Sequence, residues 1–165
     1  MRHLLIVTAS LAVGCLPLGG DADRCSLHAD LTGGIDGAIE QTDNQCLDAE
    51  SQGSDGSWFR GAAFDTPDTE LWVLLADSLP LVPGDTVIHD VPARLNAYTD
   101  DGWYLGIDAG CTAEVTTIQA APTARGGHFV EGTLVCTEPL DELDTDRVAF
   151  LDGVARFTVR IREMD

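Results

Sequence analysis

From Cys25 to Ile161 apolar residues recur at every second position, between punctuation by Gly, Pro and Asp-Gly pairs. That period suits half-buried strands and not helices. The C-terminal stretch is the most regular: Ala155, Phe157, Val159 and Ile161 share one face, and Arg156, Thr158, Arg160 and Arg162 the other. Asp152-Gly153 tolerates positive φ, so a two-residue type I′ turn is expected there, with Phe150 opposite Ala155 and Val148 opposite Phe157. A second hairpin joins 111–119 to 128–136. Setting Cys111 opposite Cys136 places Ala113 by Leu134, Val115 by Gly132 and Thr117 by Val130, leaving 120–127 as the loop. A first hairpin sets Leu27, Ala29 and Leu31 against Ile39, Gly37 and Ile35 around Thr32-Gly33-Gly34. Segments 58–64, 69–75, 86–91, 93–99 and 103–107 read as further strands, and 69–75, apolar on both faces, as a central one. The last two flank Asp100-Asp101-Gly102, a pairing that sets Leu95 opposite Asp108. The polar stretch 43–56 reads as a surface loop. The expected fold is all-β, an antiparallel two-sheet β-sandwich of about nine or ten short strands stapled by disulfides.

The five cysteines stand at positions 15, 25, 46, 111 and 136. Opposed residues on antiparallel strands lie within disulfide reach, so Cys111–Cys136 is the preferred bridge and Cys25–Cys46 follows by elimination. By count alone, three connectivities of these four remain open. An even set of four suits an oxidising compartment and leaves Cys15 over.

Cys15 closes an unusual leader. Met1-Arg2-His3 is a short positive start, and residues 4–13 are apolar except for Thr8 and Ser10. This run is too short to span a bilayer and matches the hydrophobic region of a signal peptide. It ends in Leu11-Ala12-Val13-Gly14-Cys15, which resembles the lipobox of bacterial lipoproteins, in which a small residue precedes an invariant cysteine. The pattern departs at Ala12, where that family most often has Leu. The resemblance implies a signal peptide over 1–14, lipid on Cys15, and a membrane partner reached through that lipid. Leu16 in place of Asp implies the outer membrane. Residues 15–24 then form a tether and 25–165 a single domain. The competing expectation is an ordinary signal-peptidase site at Ala12-Val13-Gly14 and a soluble secreted protein.

Charge changes the picture next. The chain carries 28 acidic against 9 basic residues, a formal charge of −19, and every base is Arg. Such a chain is repelled by phosphate backbones, which excludes nucleic acid as a partner. Phosphate-loop, dinucleotide, nucleophile-elbow, His-Glu-x-x-His and Cys-x-x-Cys motifs are absent from the sequence. The expectation is therefore a cell-envelope binding or interaction module, not an enzyme, without a cofactor, facing a protein or polysaccharide.

Two acidic runs are candidate calcium ligands: Asp43, Asp48, Glu50 and Asp55, and Asp141, Glu142, Asp144 and Asp146. Calcium takes six to eight oxygens, though neither run has the calcium-loop spacing, and a solvated acidic face is the plain alternative. Trp58, Trp72, Trp103 and Tyr104 are the candidates for stacking on sugar, and Trp103-Tyr104 follows a turn that favours an exposed ring. Together these make a calcium-dependent carbohydrate-binding module the alternative reading. A secreted hydrolase with an unrecognised site, such as Ser57 with His89 and an Asp, is the third. His28, His89 and His128 are expected at the surface. Arg147, Arg156, Arg160 and Arg162 form a late basic stripe, expected to pair with the 141–146 run.

Overall fold

In the computed structural model, residues 25–43, 46–85, 87–106, 109–121 and 126–162 are described. The expected signal sequence, Cys15 and the expected tether lie outside the described residues. The fold is all-β and antiparallel, with twelve strand segments: β1 Cys25–Gly33, β2 Gly37–Asp43, β3 Leu47–Gln52, β4 Trp58–Asp65, β5 Thr69–Ala76, β6 Ile88–Thr99, β7 Gly102–Leu105, β8 Cys111–Ala120, β9 His128–Cys136, β10 Leu140–Glu142, β11 Val148–Leu151 and β12 Ala155–Ile161. All twelve are hydrogen-bonded into one sheet. β4 packs back across the apolar interior against β1, β2 and β12, which makes the whole sandwich-like.

The segment count exceeds nine or ten because three long strands bend and break. β9 and β10 pair β12 and β11 in one unbroken register, from Ile161 opposite His128 through Ala155 opposite Leu134 to Ala149 opposite Leu140. The Glu142 N–H then donates to Arg147 O at 3.0 Å, and the chain reverses there. Likewise β7 and β8 run between β6 on one edge and β10 and β9 on the other.

This pairing corrects the expected C-terminal hairpin. Asp152-Gly153 is a bulge and not a turn: β11 and β12 continue past it, and both pair β1. From Leu31 to His28 is three residues, whereas their partners Leu151 and Arg156 are five apart, so two extra residues bow out. Gly153 takes φ +78° there, and the Asp152 N–H donates to Asp30 O at 2.8 Å. An Asp-Gly pair serves a bulge for the same reason that it serves a type I′ turn, because both need positive φ. The reversal sits instead in the acidic 143–146 segment, where Asp144 takes φ +69°.

Other expectations are met or shifted by small steps. Cys111 does oppose Cys136, Ala113 Leu134 and Val115 Gly132, after which a bulge brings Ile118, and not Thr117, opposite Val130. β1 pairs β2 with Ala29 opposite Ile39, two residues from the expected register. Strands expected at 86–91 and 93–99 are one strand through Pro92. β5 begins to pair β6 only at Ala93, so on that side no partner asks Pro92 for an N–H, and on the other Pro92 lies opposite Thr112 at the end of the β6–β8 ladder. Residues 47–52 are an edge strand on β4 where a loop was expected, with Ala49 buried and its neighbours exposed.

Alternation then builds the core. Leu27, Ala29 and Leu31, Phe64, Leu71, Val73, Leu75, Leu95, Val115, Val130, Phe157 and Val159 are all buried in it. Bridges Cys25–Cys46 and Cys111–Cys136 join chain positions 21 and 25 residues apart. In the chain-entropy picture each contributes roughly 3 kcal/mol. Two such bridges assign folding to an oxidising, extracytoplasmic compartment.

Candidate functional site: an aromatic row on the outer sheet face

β5, β6 and β7 send Leu71, Val73, Leu75, Leu95, Ala97 and Tyr104 into the core. Side chains alternate along a strand, so Trp72, Tyr98 and Trp103 are carried on the opposite, outer face. Tyr98 lies directly opposite Trp103, across the two-residue turn of Asp100 and Asp101. Trp72 lies opposite Asn96, one diagonal step from Tyr98. The three rings form a row over three adjacent strands. Trp72 and Tyr98 centroids are 4.8 Å apart, and Tyr98 and Trp103 meet edge to face at 5.4 Å. Such tilted contacts are the favoured aromatic geometry.

A second apolar cluster, of Ala49, Phe59, Ala63, Leu74 and Ala76, lies beside the row, with Trp72 packed against it. Arg94 covers Phe59 at 4.0 Å and donates to Ser51 Oγ at 3.0 Å. Trp72 Nε1 donates to Glu70 Oε1 at 2.5 Å, which fixes the indole. Burial raises the Tyr98 phenol above its ordinary range, partly offset by Asn96, so the group stays a neutral O–H. Trp103, at 55% exposure, is the open end of the row. A face of this kind stacks on the C–H surface of a ring ligand, while phenol and carboxylate supply polar contacts at its margin.

Trp103 and Tyr104, expected to act together, are divided between faces. Tyr104 is 1% exposed and its O–H donates to Gly34 O at 3.2 Å. Of the row's members, Trp72 and Trp103 were among the candidates and Tyr98 was missed, while the candidate Trp58 lies outside the row on β4. The signal was the turn: a two-residue reversal at Asp100-Asp101 puts Tyr98 opposite Trp103, whereas the expected register slid past it.

The acidic candidates are dispersed over several elements. Asp48 accepts from Arg160 at 3.2 Å and pairs Arg162 at 2.5 Å. Asp55 accepts from the Ser57 hydroxyl at 2.6 Å and from its N–H, which lowers the Asp55 pKa. The Asp43 side chain lies outside the described residues. Asp141 is exposed on β10, and Asp144 and Asp146 are exposed in the hairpin turn. Among the described residues no three His, Cys, Asp or Glu side chains are grouped to hold a metal ion.

Glu142 has a structural partner set. Its side chain is 1% exposed and takes a paired contact from Arg147, with Arg147 Nε at 2.6 Å, and a further bond from the Thr145 hydroxyl. These bonds, Arg147 first, hold the Glu142 pKa down at about 2. Of the basic stripe, Arg147 thus pairs within the acidic run as expected. Arg160 and Arg162 reach Asp48 on β3 instead, and Arg156 is exposed.

The histidines are apart as well. His28 is exposed on β1, His89 Nδ1 lies 2.7 Å from Glu114 Oε2, and His128 is buried where a surface position was expected. Ser57 bonds Asp55 in its own turn and His89 pairs Glu114, so the Ser57–His89 arrangement is not assembled. Comparison with family models, with characterised proteins and with solved structures finds no match for this chain.

Proposed function

We propose that this chain is a lipid-anchored, cell-envelope binding domain that takes carbohydrate on the Trp72–Tyr98–Trp103 face. The observation that carries the reading is the row itself. Three rings are spent on the outer side of a sheet whose inner side already holds the core. Exposed aromatic surface costs solvation free energy in the free protein and is recovered when a ligand covers it. Asp48, Asp55 and Glu142 are tied into turns and ion pairs and the described acids are dispersed, so this reading rests on the aromatic face and not on calcium.

The anchor rests on the lipobox-like end of the leader, with Cys15 as the lipidated residue and the outer membrane as its destination. A tether of residues 15–24 leaves the domain free to meet envelope or external polysaccharide.

Affinity electrophoresis through gels cast with soluble polysaccharides tests the binding face. Wild type is retarded by at least one polysaccharide, and Trp103→Ala loses that retardation while its thermal melt is unchanged. Equal retardation of the two proteins overturns the proposal.

A further inference from the structure

One cross-strand row continues the aromatic face into carboxylates. Asp65 on β4 lies directly opposite Glu70 on β5, Glu70 opposite Tyr98 on β6, and Tyr98 opposite Trp103 on β7. Their chain neighbours Phe64, Leu71, Ala97 and Tyr104 are buried in the core, so all four positions share the outer face. At the far end Asp141 on β10 lies opposite Leu105, one diagonal step from Trp103. Asp65, Trp103 and Asp141 are exposed, and Glu70 and Tyr98 are half-buried.

Like charges directly opposite each other on a sheet destabilise it. Asp65 and Glu70 keep that arrangement, and among the described residues neither is paired with an Arg or His. Glu70 accepts from the Trp72 indole, a neutral donor that leaves its charge in place. The nearby arginines are taken. Arg94 is buried over Phe59 and donates to Ser51, and Arg147 pairs Glu142. Rings and carboxylates on this face therefore attract the same chemistry. A ring face draws a cation through its quadrupole, and a carboxylate draws it by charge and accepts its N–H bonds. A uronate or sulfated sugar would instead bring like charge against Glu70 and Asp141.

We propose that the ligand of this face is an oligomer of amino sugars with free, protonated amines. One sugar ring lies on Trp103 and an ammonium beyond it meets Glu70 and Asp65. Trp103 and Glu70 are two strand spacings apart, about 10 Å, which asks for a ligand longer than one sugar ring. This inference rests on the carbohydrate reading of the same face and adds the charge of the sugar.

The test titrates the full domain with a glucosamine tetramer, its fully N-acetylated counterpart and an oligogalacturonate, below the pKa of the free amine. Binding is followed at the Trp72 and Trp103 indole N–H signals, with Trp58 as control. The amine tetramer should shift Trp72 and Trp103 saturably and bind about fivefold or more tighter than the N-acetylated one, with the uronate weakest. Glu70→Gln and, separately, the exposed change Asp65→Asn should each lose most of that preference. Glu40→Gln, an equal change of charge at an exposed position on β2, should keep it. Equal affinity for the two tetramers, tighter binding of the uronate, an unchanged preference in both face variants, or the same loss in Glu40→Gln would each overturn the amine and leave the carbohydrate reading standing. No shift at Trp72 or Trp103 with any of the three also overturns the amine, and the carbohydrate reading is then decided by the retardation of Trp103→Ala.

Discussion

Glu142 shows how much a single side chain does at the reversal between β10 and β11. Its carboxylate is enclosed by Arg147 and Thr145, and Arg147 Nη2 also reaches Asp101 O at 3.3 Å. Gly102 lies against this group so closely that any Cβ would strike the Glu142 carboxylate. One ion pair therefore ties the β10–β11 turn to the β6–β7 turn. The folded pKa, held down at about 2, lies below the ordinary glutamate value of 4.5. A depressed carboxylate stabilises the fold above its unfolded pKa, and that contribution fades as pH falls from 4.5 towards 2. Glu142→Gln should lower the urea midpoint at pH 7, and the gap to wild type should close on approaching pH 2. A gap that stays constant over that window would show that Glu142 is not ionised in this contact. Sequence reasoning placed Glu142 in a solvated acidic run because charge alone does not show which member of a run points inward. Alternation from Leu140 would have singled it out, since Leu140 and Glu142 share the buried phase.

At the scale of elements, what was legible followed from apolar alternation, and what was missed followed from bulges. The Cys111–Cys136 ladder could be read because Ala113, Val115, Leu134 and Val130 fix one face, and a one-residue slip would expose all of them. The register still shifted at Thr116, where β8 carries no Gly or Pro and the one mark is Gly132 on the partner strand, opposite Val115. β3 was hidden because five of its six residues are polar or exposed and only Ala49 is buried. Its strand character comes from β4, which offers a free edge. The bulge at Asp152-Gly153 is the clearest case, since the same dipeptide fits two geometries and only long-range pairing decides between them. Here Leu151 and Ala155 are both buried, one against each half of the bent β1 partner set. Hydrogen exchange separates the geometries. Because the Asp152 N–H donates to Asp30 O inside the sheet, its exchange should be slowed to that of neighbouring ladder amides. Fast exchange at Asp152 together with an Ala155–Phe150 cross-strand contact would restore the hairpin.

Over the described residues the molecule is one bent sheet folded over its main core, with Cys25–Cys46 tying β1 to the start of β3, Cys111–Cys136 stapling the neighbours β8 and β9, and an aromatic face outside. All-β class and antiparallel pairing were legible from spacing, while Cys111–Cys136 was preferred from cross-strand pairing and Cys25–Cys46 followed by elimination. Trp72 and Trp103 were legible as candidates, but not as one row, because Tyr98, which joins them, enters through the β6–β7 register and Trp72 through the β5–β6 pairing. Non-reduced intact mass of protein purified from its native membranes should correspond to a chain starting at Cys15 with acyl groups, less the four hydrogens of two disulfides. A mass without acyl groups would make the domain a freely secreted one.

The central claim, that the Trp72–Tyr98–Trp103 face binds carbohydrate, has a direct internal control. The chain holds three tryptophans, and the third, Trp58, lies at the start of β4, outside the row. In an indole N–H spectrum titrated with the polysaccharide that retards the protein, the Trp72 and Trp103 signals should shift saturably while Trp58 stays in place. Movement of Trp58 alone, or of no indole, would contradict the account.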